Sequence, residues 1–195
     1  RDDSAAIVFR AEDMVERQLT WNELYEEVSR LAQAMRTLGV ASGDRIAGFV
    51  PNCPEAIIAM LAASSIGAIW TSCSPDFGIQ GVLDRFGQVE PKILFTADGY
   101  YYNGKALDSL GKISEVLADL PSVQMTIVFP LLTDDPAIGG VPNGTHWRHF
   151  IAAHDAGDIE FAQLPFDHPL YILYSSGTTG APKCIVHGAG GTLLQ

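Results

Sequence analysis

The residues best suited to chemistry are the small hydroxyl and glycine residues between Ser175 and Gly180, which a lysine follows at position 183. Glycines allow the backbone to adopt positive φ, so that peptide N–H groups can converge on an anion. Hydroxyl groups add donors that rotate toward phosphate oxygens, and a lysine supplies a mobile positive charge. Pro182 fixes the exit direction and keeps Lys183 close to the loop. This spacing predicts a loop that binds a triphosphate or a pyrophosphate.

A plainer interpretation is a solvent-exposed turn between two strands of a hairpin, because Ser, Thr and Gly are common turn residues. Such a turn would not require two threonines, two glycines, a proline and a lysine at these spacings. The segment is not a Walker A loop, since its lysine follows a proline and no hydroxyl residue follows the lysine. The residues from Gly99 to Lys105 do have the Walker A spacing, but Ala106 lacks the hydroxyl that binds Mg²⁺. The three tyrosines between them are predicted to pack or to line a surface groove.

The elements that must position the loop alternate between strand and helix. Thr20 and Glu23 form a capping box at the start of an amphipathic helix that ends at Gly39. Further strands are predicted at Arg45 to Val50, Ala68 to Ser72, Lys92 to Thr96, Met125 to Phe129 and Leu170 to Tyr174, and further helices at Glu55 to Ile66, Gly78 to Gln88, Ala106 to Leu120 and Trp147 to Ala153. The alternation predicts an α/β fold, a Rossmann-like parallel sheet with helices on both faces. The last strand leads directly into the loop.

Composition excludes several classes of protein. The chain has 195 residues, 47% of them hydrophobic and 18% charged, which is typical of one globular domain or of a large piece of one. Its net charge of −11 argues against nucleic-acid binding. The longest apolar run, around Ala56 to Ala63, is too short to span a bilayer. Three widely spaced cysteines indicate neither a zinc ribbon nor a disulfide framework, and reduced thiols in the cytoplasm are the simplest interpretation.

The segment around Gly177 to Lys183 closely resembles the signature loop of the adenylate-forming superfamily, which comprises acyl-CoA synthetases, luciferases and the adenylation domains of peptide synthetases. The early helix start, the Pro51 to Ala56 turn and the Gly67 to Trp70 segment are similar to that superfamily as well. Within it, Trp70 to Gly78, Asp84 to Gln88, Tyr102 to Lys105 and Tyr174 to Gln195 resemble the acetoacetyl-CoA synthetase subfamily. Acetyl-CoA synthetases usually carry glycine where Cys184 stands.

The resemblance implies that residues 1–195 are part of the large N-terminal AMP-binding domain, truncated just after the loop, with the C-terminal domain absent. It implies ATP-dependent activation of acetoacetate to acetoacetyl-CoA through an acyl-adenylate, with ATP, Mg²⁺ and coenzyme A as cofactors. The enzyme would be an AMP-forming acid–thiol ligase of lipid and ketone body metabolism, with small-molecule substrates and neither nucleic acid nor membrane as partner. This chain would be inactive without the missing part of the same enzyme.

The resemblance also assigns the loop's residues. The ATP phosphates are bound by Ser175, Ser176, Gly177, Thr178, Thr179, Gly180 and Lys183, of which Lys183 is the catalytic residue, and no metal ligand is assigned. Lys105 is a candidate contact for a CoA phosphate, with a solvated lysine as the alternative, and His187 is either near substrate or simply packed. Two alternative functions of the whole protein stay open. One is another short-chain acyl-CoA synthetase, such as an acetyl- or propionyl-CoA synthetase. The other is a non-catalytic module that binds a nucleotide or CoA.

Overall fold

The structure, a computed structural model, describes residues 2–175 and 180–195. Four predicted loop residues, Ser176, Gly177, Thr178 and Thr179, therefore lie outside the described residues. The strands are β1 Ala5–Ala11, β2 Val15–Thr20, β3 Arg45–Phe49, β4 Ile69–Cys73, β5 Ile93–Ala97, β6 Gly99–Tyr102, β7 Lys105–Asp108, β8 Met125–Phe129, β9 Gly144–His146, β10 Pro169–Ser175 and β11 Lys183–Gly188. The helices are α1 Trp21–Thr37, α2 Pro54–Ser65, α3 Ile79–Val89, α4 Leu110–Ala118, α5 Trp147–Ile151 and α6 Ala189–Leu193, with one 3₁₀ turn at Ile138–Gly140.

Seven of the described strands form the central sheet, in the order β11-β10-β4-β3-β5-β8-β9. The strands from β10 to β9 are parallel to their neighbours, and β11 pairs antiparallel with β10 at one edge. The chain passes from β3 to β4 on one side and then returns to β5 on the other side of β3. In doubly wound sheets such a reversal opens a crevice at the carboxyl ends of the strands, where ligands bind. The predicted α/β class and parallel sheet are confirmed.

Helices cover both faces of this sheet, as predicted. Ile46 and Phe95 point into a core that includes residues of α1, α2 and α5, whereas their neighbours Ala47 and Leu94 point into a second core with Phe86 of α3 and residues of α4. Side chains alternate between the faces of a strand, so these apolar strand residues bury both faces of the sheet.

The prediction of a helix beginning at Ala106 is wrong at its start. Residues from Lys105 to Asp108 form β7, which pairs antiparallel with β6, and α4 begins only at Leu110. The turn between the two strands is Asn103–Gly104, whose φ angles are +51° and +71°. An Asn-Gly pair with positive φ at both positions is the preferred two-residue hairpin turn. The local turn chemistry therefore outweighed the apolar periodicity that favoured a helix.

An N-terminal hairpin of β1 and β2 and the short edge strand β9 were not expected from the sequence. The predicted capping box is present at the start of α1: the Glu23 backbone N–H donates to Thr20 Oγ1, and the Thr20 N–H donates to the Glu23 carboxylate. Those two bonds satisfy backbone donors that the first helical turn leaves open.

Candidate active site

The predicted phosphate loop connects two strand ends that are directly paired. β10 ends at Ser175 and β11 begins at Lys183, and these two residues face each other across the antiparallel ladder. Gly180, in the connection, has φ of +94°, a conformation that glycine adopts without strain. The structure thus brings Ser175 and Lys183 together at the carboxyl end of β10. A simple hairpin turn would have the same topology, so the distinction between the two interpretations depends on the residue types in the connection.

The exit from the loop is attached to helix α3. The Gln88 side-chain amide donates to the Pro182 carbonyl at 2.8 Å, and the Cys184 sulfur lies 3.6 Å from the Gln88 amide oxygen. Gln88 therefore contacts residues on both sides of Lys183 and limits how far that part of the chain can move. Spacing along the sequence gave no signal for this role, because the contact joins residues more than ninety positions apart.

The entry to the loop is anchored by a buried hydroxyl pair. The Thr71 hydroxyl donates to the Ile172 carbonyl at 2.9 Å and lies 2.8 Å from the Tyr174 hydroxyl. Burial raises the pKa of Tyr174, so this phenol is neutral at physiological pH. The hydroxyl contact joins β10 to β4 at the last residues before the loop.

A second cation, Arg85, lies beside the same strand end. Its guanidinium is 3.9 Å from the centroid of the Phe77 ring and 5.7 Å from that of Tyr174, and it donates to the Gly81 carbonyl at 2.6 Å. A guanidinium held over aromatic rings keeps its charge and its position. Arg85 therefore adds fixed positive potential near the loop, a role that the sequence analysis did not assign.

A cavity of about 380 Å³ opens at the same edge of the sheet. It is lined by the segments that follow β3 and β4, among them Asn52 and Asp76, and by the three tyrosines of β6. Of the two alternatives predicted for Tyr100, Tyr101 and Tyr102, packing or lining a surface groove, the cavity supports the second. Because β4 is the neighbour of β10 in the sheet, the cavity and the predicted phosphate loop lie at the same carboxyl end of the parallel strands.

Polar groups in the cavity are arranged around one carboxylate. The Tyr100 hydroxyl donates to Asp76 at 2.7 Å, and the Ser74 hydroxyl donates to the other oxygen of Asp76 at 3.0 Å. Burial, and then the bond to Asp76, raises the pKa of Tyr100 to about 12. Burial also raises the pKa of the Cys73 thiol to about 12, so this lining residue is no nucleophile at neutral pH. The cavity suits binding through hydrogen bonds and aromatic faces.

Lys105 and His187 have different surroundings. Lys105 is exposed and pairs with Tyr102, a lining residue of the cavity, across the β6–β7 hairpin. His187 stacks on Tyr171 with ring centroids 4.8 Å apart, which supports the interpretation of a packed histidine. In residues 2–175 and 180–195, no three His, Cys, Asp or Glu side chains lie close enough together to hold a metal ion. None of the helices in this described part is long and apolar enough to cross a membrane.

Comparison with known proteins finds relatives that are named as CoA synthetases. The acetoacetyl-coenzyme A synthetase of Rhizobium meliloti (strain 1021) is 55% identical over 191 residues, which cover 97% of this chain and 29% of that protein. The acetoacetyl-CoA synthetase of Xenopus tropicalis is 49% identical over 184 residues, covering 91% of this chain and 27% of that protein. A malonamoyl-CoA synthetase of Penicillium aethiopicum is 42% identical over 200 residues, covering 100% and 28%.

The fold is also that of a solved relative. The structure of an acetoacetyl-CoA synthetase from Streptomyces lividans matches with a TM-score of 0.90 and 44% identity, over 98% of this chain and 29% of that one. The chain thus spans less than a third of the length of the relatives it matches. The family model described as AMP-binding enzyme matches residues 1–195, and the chain therefore belongs to the AMP-binding enzyme family.

Proposed function

We propose that this chain, residues 1–195, is part of the N-terminal adenylation domain of an AMP-forming ligase that converts acetoacetate to acetoacetyl-CoA. The observation that carries the proposal is the loop between Ser175 and Lys183, whose residue types suit phosphates and whose paired ends lie at the carboxyl edge of a parallel sheet. The names of the relatives, at up to 55% identity, support the choice of substrate. The remaining substrate contacts and the C-terminal domain would come from the rest of the polypeptide.

In the proposed first step, a carboxylate oxygen of the acid attacks the α-phosphorus of ATP. The bond from that phosphorus to the bridging oxygen breaks, and pyrophosphate leaves with the electron pair. The proposed role of Ser175, the loop residues 176–180 and Lys183 is to bind the β- and γ-phosphates in line and to balance the charge that develops on pyrophosphate. Mg²⁺ would be bound mainly through ATP phosphates, as is usual for this ion, and would neutralise their charge.

In the proposed second step, the thiol of coenzyme A attacks the acyl carbonyl carbon, and AMP leaves with the oxygen that the carboxylate contributed. We propose that the cavity lined by Asp76 and the β6 tyrosines takes part of coenzyme A, because aromatic faces stack on purine rings. Lys105, the exposed cross-strand partner of the lining residue Tyr102, would contact a CoA phosphate. Because the cavity and the loop lie at the same carboxyl end of the parallel strands, the thiol of coenzyme A and the acyl-adenylate would be brought together.

A second acid is favoured by one specific observation, the malonamoyl-CoA synthetase at 42% identity. Acetoacetate and malonamate share a –CO–CH₂–COO⁻ unit, and they differ in the group on the β carbonyl, which is methyl in acetoacetate and amino in malonamate. The same chain is therefore compatible with either acid, since no described residue has been assigned to the acyl pocket. Free thiols at Cys53, Cys73 and Cys184 support a reducing, cytoplasmic location for the enzyme.

The experiment that tests the function is acid-dependent ATP–pyrophosphate exchange by the full-length protein that contains this chain. The acids compared are acetoacetate, malonamate, acetate, propionate, butyrate and 3-hydroxybutyrate. We expect the fastest exchange with acetoacetate. Faster exchange with another acid would support the adenylation step but would show that acetoacetate is not the preferred substrate. A folded protein that binds ATP but exchanges with none of the acids would favour a non-catalytic nucleotide- or CoA-binding module.

A further inference from the structure

We propose that Glu12 is a positioning residue for the second half-reaction, because it fixes the hairpin that carries one wall of the cavity. Glu12 lies in the turn between β1 and β2, with φ of +50°. Its carboxylate accepts the backbone N–H groups of Asn103 at 2.6 Å and of Gly104 at 2.7 Å. One side chain therefore joins two hairpins that lie about ninety residues apart in sequence. The proposal rests on the proposed function, in which the cavity takes part of coenzyme A.

The two amides that Glu12 accepts are the central donors of the turn. In the β6–β7 hairpin, Tyr102 and Lys105 form the last pair, so the N–H groups of Asn103 and Gly104 lie beyond the ladder. A carboxylate that accepts two N–H groups forms charge-assisted hydrogen bonds, about twice as strong as neutral ones. The contact therefore restrains the turn at its outermost point.

The β6–β7 hairpin that Glu12 restrains provides several residues of the proposed coenzyme A site. Its first strand provides Tyr100, Tyr101 and Tyr102 to the cavity, and its second strand begins with Lys105. A two-stranded hairpin is marginally stable by itself. At its base the hairpin packs tightly, since a Cβ at Gly99 would collide with the Leu132 side chain and the Leu107 carbonyl. Its tip has the Glu12 contact instead, so the positions of Tyr102 and Lys105 depend on that contact.

Glu12 is exposed and lies outside the two main cores, so its loss should alter the hairpin more than the global stability. The test compares Glu12→Ala and Glu12→Gln in the full-length protein, with Asp13→Ala as a matched control that removes an acidic residue from the same turn. The readouts are ATP–pyrophosphate exchange without CoA, the KM for CoA in the complete reaction, thermal unfolding, and amide hydrogen exchange of residues 99–108.

For Glu12→Ala we expect a KM for CoA raised about tenfold, with pyrophosphate exchange within about twofold of wild type. Hydrogen exchange of the hairpin should become faster while the melting temperature stays unchanged. Glu12→Gln, which keeps one acceptor oxygen, should lie between Glu12→Ala and wild type, and Asp13→Ala should match wild type.

An unchanged KM for CoA in Glu12→Ala, beside normal exchange activity, would overturn the proposal. Equal losses in both half-reactions, accompanied by a lower melting temperature, would reduce Glu12 to a structural residue. If the wild-type protein exchanges pyrophosphate with none of the acids, the proposed function fails independently. Unaltered hydrogen exchange of residues 99–108 in Glu12→Ala would then still refute the positioning role.

Discussion

Two cations near the proposed phosphate loop differ in how freely they can move. Arg85 is held between aromatic rings and a backbone carbonyl, so its charge is fixed in place. Lys183 is exposed at the start of β11 and, within the described residues, has no ion-pair partner. A flexible ammonium can follow the phosphate oxygens as the bond to pyrophosphate breaks, whereas a fixed guanidinium supplies background potential. Lys183 is therefore the residue whose removal should affect the rate most.

We predict that Lys183→Ala lowers the rate of acid-dependent ATP–pyrophosphate exchange by on the order of 10²-fold, the usual scale for loss of one positioned electrostatic group. The melting temperature should change little, since an exposed side chain contributes little to stability. The measurement is exchange kinetics on the full-length variant beside a thermal unfolding curve, with Lys105→Ala as the control, which should spare exchange. An unchanged exchange rate in a folded Lys183→Ala protein would show that the lysine does not serve the phosphates.

Some residues of the candidate site were predicted from the sequence, and others were not. The types and spacing of Ser175, Gly180 and Lys183 predicted a phosphate loop, and the structure places Ser175 and Lys183 at paired strand ends, with Gly180 in the connection between them. The roles of the four residues between Ser175 and Gly180 stay predictions. Gln88 and Arg85 were missed because they belong to α3, far along the chain, and only the packing of that helix brings them to the loop.

The secondary-structure elements that were predicted well are those with one strong pattern in the sequence. Apolar strands between glycines and prolines, such as Met125–Phe129, have the predicted bounds. The β6–β7 hairpin was missed because residues 106–120 have apolar side chains at helical spacing, which predicts one continuous helix. The two-residue turn at Asn103–Gly104 instead places residues 105–108 in a strand. The β1–β2 hairpin was missed because Phe9 is the only buried residue in its two strands, so they show little of the apolar alternation that marks a strand.

One ion pair joins elements at the amino end of the sheet, opposite the proposed site. The Lys92 ammonium donates to Asp44 at 2.8 Å and to the Gly39 carbonyl at 2.7 Å, so it connects the entries to β5 and β3 with the end of α1. Burial alone would raise the pKa of Asp44. The bonds from Lys92 and from the Ala41 N–H, together with the charge of Arg45, outweigh burial and lower that pKa below its usual value.

We predict that Asp44→Asn lowers the free energy of unfolding by about 1 kcal/mol at pH 7. Because the pKa of Asp44 is lowered by folding, its contribution is complete above the ordinary value near 3.8 and is lost as the pH falls below it. The difference between wild type and Asp44→Asn should therefore shrink below pH 4. Urea unfolding of both proteins between pH 3 and pH 7 measures it.

The control for that prediction is Glu26→Gln, which removes an exposed pair with Arg30 on α1. Exposed pairs of this kind contribute little, so this variant should resemble wild type at each pH. A loss in Asp44→Asn that stays constant down to pH 3 would contradict the assignment of the effect to the Asp44 charge.

For the molecule as a whole, the central result is that two candidate binding features share one edge of a parallel sheet. The phosphate loop follows β10, and the cavity is lined by segments after β3 and β4 and by the β6 tyrosines. On one face of the sheet, Gln88 of α3 contacts the exit of the loop. On the other face lies the β1–β2 hairpin, whose Glu12 accepts the Asn103 N–H. In the proposed enzyme, this arrangement would let one acyl group meet the phosphates and the thiol in turn.

The most direct test of this account follows the carboxylate oxygens. The full-length protein is given acetoacetate labelled with ¹⁸O in its carboxylate, together with ATP, Mg²⁺ and CoA, and the products are analysed by mass spectrometry. Attack on the α-phosphorus, followed by thiol displacement, predicts one ¹⁸O in the phosphate of AMP and none in pyrophosphate. Label in inorganic phosphate with ADP as the other product, or AMP without label, would contradict an acyl-adenylate and with it the proposed role of the loop.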